Sequence, residues 1–254
     1  MDFLTRLRET FLDWEKIAEV LPSMFSVGLP NTLVLAITSG LIGAVVGLVL
    51  ALMGISRNPV ARWAARVYTD VFRGLPAVLT ILVIGLGFGP IFREMTGSNS
   101  PYPMGVAALS LMAAAYTGEI FRSGIQSVDK GQLEASRALG FGYGASMRLV
   151  VVPQGIRRVL PALMNQFIAL IKDSSLVFTL GLLATERELF QIGQDAAARS
   201  GNLSPYVAAA IFYLAMTIPL THLVNYIDAR LRTGRPEKKE PDEAAAVVGK
   251  GAQA

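Results

Sequence analysis

Five stretches of the chain contain no Asp, Glu, Lys or Arg: residues 20–56, 74–92, 95–118, 159–171 and 200–227. Four of them are long enough for a membrane-crossing helix of roughly 20 residues. The fourth in order, 159–171, becomes a span only if it continues through Lys172 and Asp173 to the neighbourhood of Leu183. The pattern predicts a first span near 29–54 with Gly43 and Gly47 four apart, a spacing that lets two helix backbones approach closely. A second span follows the polar run Tyr68–Arg73 and starts at Gly74-Leu75-Pro76. The third, about Pro103–Arg122, is rich in small residues and should pack against protein; the fifth covers about Pro205–Ile227. Between the third and fourth, residues 132–139 alternate aliphatic and charged positions at helical spacing, and Gly140 stands where a left-handed residue ends a helix.

Composition agrees with a membrane protein: 52% of residues are hydrophobic and 17% charged, with a mean hydropathy of +0.47. Lys and Arg set the orientation. Residues 54–73 carry four, 122–158 six and the tail from Asp228 six, whereas the opposite side carries three in the N-terminal segment, one at Arg93 and two between 184 and 205. The positive-inside rule therefore predicts an all-α protein of five transmembrane helices with the N-terminus outside and the C-terminus cytoplasmic. Residues 1–27 lack the apolar core and cleavage site of a signal peptide and read as an extracytoplasmic amphipathic segment. Residues 28–232 form the transmembrane domain, with a cytoplasmic loop over 123–156, and the charged, small-residue-rich 233–254 reads as a disordered tail.

Several chemistries are excluded. Without cysteine there is neither a disulfide nor a thiolate metal site, and a single histidine, His222, rules out a multi-histidine metal site and reads as a hydrogen-bonded packing residue. The net charge of +4 follows from the inside Lys and Arg and requires no nucleic acid. The only Gly-Lys pair, Gly249-Lys250, is followed by Gly251, so there is no phosphate loop for ATP.

The cytoplasmic loop holds Glu134-Ala135-Ser136, then Gly140, then Val150, Val152 and Pro153. This resembles the EAA motif of ABC importer permeases, with Ser136 for the third small residue and Val150 and Val152 for the usual Ile and Leu. Asn31-Thr32-Leu33, Phe72-Arg73-Gly74-Leu75-Pro76, Ala115-Tyr116, Glu119–Ile125 and Leu163-x-Asn165-Gln166 leading to Lys172–Leu176 extend the resemblance to the polar amino acid (histidine, glutamine, glutamate, arginine) subfamily over Gly28–Arg232. Leu75 and Ser123 depart from the commoner Thr and Gly.

The resemblance implies a type I importer permease fold and a non-enzymatic subunit of the cell inner membrane. Its implied partners are a second permease copy or homologue, a cytoplasmic ATPase dimer that carries ATP and Mg, and an extracytoplasmic amino-acid-binding protein, all in membrane lipid. It implies ATPase coupling through Glu134, Ala135, Ser136, Arg137 and Gly140, and substrate binding by Lys172, Asp173, Ser174, Tyr116 and Thr117. Lys172 and Asp173, being adjacent, point about 100° apart on a helix and need separate partners. A cation in the pocket favours glutamate or glutamine over arginine; otherwise Lys172 braces the bundle against a carboxylate. An ion-gradient-driven secondary transporter and a passive membrane anchor are the competing readings.

Overall fold

The computed structural model describes residues 3–232, which are helical throughout and contain no strand. Helix α1 (Phe3–Phe11) meets α2 (Trp14–Ser23) at Asp13, whose carboxylate accepts from the N–H groups of Glu15 (3.0 Å) and Lys16 (3.3 Å) and so caps α2. A π-helical turn, Met24–Gly28, then leads without a break into α3 (Leu29–Gly54). The boundary expected at residue 28 is thus a turn within one continuous helix. Its inner side packs early: Ile17, Val20 and Met24 join Leu189, Ile192, Ala208 and Phe212 in one apolar cluster.

Asn58 caps α4 (Pro59–Gly74) through bonds from Val60 and Ala61, and Pro59 costs nothing where an N–H has no helical partner. At Leu75 the backbone becomes extended and Pro76 restarts the chain as α5 (Ala77–Thr96). Helix α6 (Tyr102–Gln126) is the centre of the bundle, in contact with α3, α4, α5 and α9. Its small residues allow this. A Cβ at Gly43 would lie 2.5 Å from that of Ala113, and one at Gly47 would collide with the Thr117 hydroxyl. The Thr117 hydroxyl itself donates across the crossing to the Gly43 carbonyl at 2.9 Å.

After α6 come α7 (Lys130–Ala138), the short α8 (Tyr143–Ser146), a π turn (Met147–Val151) and α9 (Val152–Asp173). A 3₁₀ segment, Ser174–Leu180, places Val177 and Leu180 in the space left by Gly105 and Gly85. Helices α10 (Leu189–Ser200) and α11 (Ser204–Arg232) close the bundle. Of the five expected spans, four belong to helices apolar and long enough to cross a membrane, within Thr5–Gly54, Ala77–Thr96, Tyr102–Gln126 and Ser204–Leu231. Helix α9 is long enough but too polar for that class, because Arg157 and Arg158 lie near one end and Lys172 and Asp173 at the other. The segment 184–204 contains α10. The tail 233–254 lies outside the described residues.

Candidate functional site: an exposed short helix and a charged cleft

Asp129 caps α7 by accepting from the Gly131 N–H at 2.6 Å, and Leu133 anchors the helix against a cluster of Ile125, Val128 and Val151. A side-chain bond between Gln154 and Gln132 (3.2 Å) ties it to α9. Gly140 ends the helix at φ +89°, a backbone region unfavourable to a residue with a Cβ, and the Gly140 N–H bonds the Arg137 carbonyl at 3.0 Å. Glu134, Ala135, Arg137 and Ala138 are exposed, and Leu139 is 79% exposed. Ser136 points the other way: it is buried, with its hydroxyl donating to the Leu133 carbonyl at 2.8 Å. The motif's third position therefore packs the short helix onto its own bundle and presents nothing outward.

The five nominated pocket residues do not converge. Thr117 and Ser174 are buried, and the Ser174 hydroxyl donates to the Ile171 carbonyl of its own helix at 2.7 Å. Lys172 is exposed and Asp173 is partly buried; among the described residues neither joins an ion pair or a side-chain hydrogen bond to another helix. The separate partners expected for them are not found among the described residues. His222 is also exposed and has no hydrogen bond of the expected packing kind among the described residues.

Charge gathers elsewhere. A cavity of about 240 Å³ between α3, α4 and α6 is lined by Arg62, Arg66, Asp70, Arg73, Glu119 and Arg122. Arg122 Nε bonds Glu119 Oε2 at 3.0 Å, and the Arg73 guanidinium lies 5.6 Å from the centre of the Tyr116 ring. None of the nominated residues lines this cleft; Tyr116 reaches it only through its ring contact with Arg73. The signal was present in α4, where 62, 66, 69, 70 and 73 recur at helical spacing; it reads as a solvated connector unless α4 is known to pack on α3 and α6.

The opposite end holds the one charged side chain fully buried among the described residues, Glu188. Its carboxylate caps α10 through the N–H groups of Phe190 and Gln191, both at 2.6 Å, and accepts from the Tyr213 hydroxyl at 2.9 Å. Burial pushes its pKa up to about 7 in opposition to those three bonds, with Asp195 nearby adding to the rise. Asn31 and Thr32 hold this segment: the Asn31 amide donates to the carbonyls of Thr185 (2.9 Å) and Arg187 (3.1 Å), and Thr32 Oγ1 accepts from the Leu189 N–H at 3.2 Å.

Residues 22–233 match the family described as binding-protein-dependent transport system inner membrane component. The chain belongs to this family. It is 36% identical over 206 residues to the arginine transport system permease protein ArtQ of Bacillus subtilis (strain 168), covering 81% of this chain and 91% of that one. To the glutamate/aspartate import permease protein GltK of Escherichia coli O157:H7 it is 34% identical over 223 residues, 86% and 97% of the two chains. A crystal structure of an amino acid ABC transporter with histidines shares the fold at a TM-score of 0.71 and 32% identity, covering 91% of this permease and 99% of that chain. The polar amino acid resemblance read from the motifs is therefore sound, and the chain is a multi-pass membrane permease.

Proposed function

We propose that this permease forms half of an amino acid import pathway and that α7 is the part through which a separate ATPase moves it. The observation that carries this reading is the shape of α7. A rigid capped helix is fastened to the bundle by Leu133, Ser136 and Gln132, yet offers Glu134, Arg137 and Leu139 outward. Force applied to the outer face is passed to α6 and α9 through the inner one. A second permease copy or homologue completes the pathway, a binding protein delivers the amino acid outside, and ATP and Mg are bound by the ATPase dimer. Five spans, with α9 and the 3₁₀ segment as the fourth, put α7 and the ATPase on the cytoplasmic side.

The charged cleft supports an amino acid as cargo, since Asp70 suits an ammonium while Arg73, set against the Tyr116 ring, suits a carboxylate. Lys172 biases selection toward glutamate or glutamine, and its exposed side chain is free to face the pathway.

Two measurements test the reading. In proteoliposomes containing the permease, its ATPase and its binding protein, Leu139→Asp should abolish ATP-driven uptake and leave the folded bundle intact by circular dichroism; normal uptake rejects α7 as the lever. Lys172→Glu should shift uptake from glutamate toward arginine, and an unchanged preference removes the selectivity assignment.

A further inference from the structure

Helix α4 has three faces. Ala65 and Tyr68 turn inward, with Tyr68 donating to the Leu111 carbonyl of α6 at 2.9 Å. Val60, Trp63, Val67 and Val71 form an exposed apolar stripe. Arg62 and Arg66, one helical turn apart, lie on the third face and line both the charged cleft and a larger cavity of about 610 Å³. The walls of that larger cavity include Ile55, Leu133 and Met147 as well as Lys130 and Arg122.

Among the described residues, Arg62 and Arg66 have no side-chain hydrogen bond and no ion pair. Asp70, one turn beyond Arg66, is not within ion-pair distance. Asp129, on the cavity wall, is engaged with the Gly131 N–H, and Arg122 with Glu119. Both guanidiniums are exposed and have no carboxylate within ion-pair distance among the described residues, so they are open to an anion from outside the chain. Two further features say which one. The exposed apolar stripe suits hydrocarbon, and Trp63, one turn from Arg66, is of the aromatic type enriched where lipid headgroups lie. The apolar part of the cavity wall suits a phosphate attached to a glycerol and its acyl chains better than a free ion.

We propose that Arg62 and Arg66, with Lys130, bind the phosphate of an anionic phospholipid. The leaflet, cytoplasmic, rests on the orientation given under Proposed function; the binding itself does not. A lipid held here touches α4, the end of α3 and the foot of α7 at once, so it fills the joint between the pathway helices and the proposed lever.

The chain has two tryptophans, Trp14 and Trp63, so Trp14→Phe leaves Trp63 as the only reporter. The full chain with that substitution, in mixed micelles, is titrated with brominated phosphatidylglycerol and, separately, brominated phosphatidylcholine, and quenching of Trp63 is compared. The expected preference for phosphatidylglycerol is about thirtyfold, from two arginines near a membrane surface. It should vanish in R62Q/R66Q and persist in R62K/R66K. Equal quenching by the two lipids, or a preference that survives R62Q/R66Q, overturns the proposal. So does loss of the preference on adding millimolar glycerol phosphate, which makes the site one for a free anion. If R62Q/R66Q is misfolded by circular dichroism, R62Q and R66Q singly are read instead, each expected to weaken the preference several-fold; no weakening in either overturns it. Failure of the coupling reading is separately visible: Leu139→Asp would then leave ATP-driven uptake normal, whatever the lipid preference of Trp63 quenching.

Discussion

Single residues carry two of the sharpest consequences. At Gly47 the missing Cβ lets Thr117 and the α6 backbone close against α3, and any side chain has to push apart the two most intimately packed helices of the bundle. Gly47→Leu should cost at least about 1–3 kcal/mol, the range for overpacking a close interface, seen as a lowered thermal midpoint of the purified chain. Glu188 is a different case. Its carboxyl titrates near 7 when folded against an ordinary value of 4.5, so between those values the folded chain holds the extra proton. Its protonated form is favoured by folding, and the stabilisation is complete below about pH 4.5 and is withdrawn as pH rises through 7. The thermal midpoint should fall from pH 5 to 8, by the equivalent of about 3 kcal/mol at most, and Glu188→Gln should flatten that dependence while keeping the cap on α10. A parent protein with a flat profile over this range places the ionised form in the fold.

At the scale of elements, α7 and α4 show how far helical spacing reaches. The short helix was expected over 132–139 and runs Lys130–Ala138, ended by Gly140 as its position implied. Periodicity and a terminal glycine are local properties, so they were legible. Gly140→Ala should disturb this ending, at about 1–2 kcal/mol for a side chain forced to positive φ. ATP-driven uptake should drop while lipid insertion does not, measured in the same proteoliposomes; full activity would mean that the turn tolerates another ending. Which face of α7 looks outward was not legible. Ser136 belongs to a motif read as one contact surface, yet it faces the bundle because Leu133, one turn earlier on that side, is the apolar anchor. In α4 the polar face was visible as a spacing, but its closure into a cleft depends on Leu50 and Ala51 of the folded-back α3 and on Glu119 of α6, distant in sequence.

The whole molecule presents broad apolar faces on α3, α5 and α11, with Leu41, Val45, Val83 and Ile211 all exposed. Lipid or a second permease must cover them. Lys172, exposed and without an ion pair among the described residues, is another group open to an assembly partner or a bound solute. The assembled transporter, screened against a panel of amino acids, should therefore show a raised thermal midpoint with its own cargo; saturation at one hundred times Kd corresponds to about 2.7 kcal/mol. A panel in which glutamate and glutamine have no effect and arginine does would reverse the selectivity assigned to Lys172.

Hydropathy, charge bias and helical period are sums over neighbouring residues. By themselves they determined the membrane class, the helical segments, the short helix with its glycine stop, and the use of Gly43 and Gly47 as a packing seam. Only the tertiary structure decided which side chains meet: that Tyr116 meets Arg73 of the charged cleft, that Thr117 and Ser174 are held within the bundle, and that Glu188 is buried between α3, α10 and α11. Convergence depends on the rotation of each helix about its axis and on the crossing that small residues permit, and those are set by pairs of surfaces far apart in the chain.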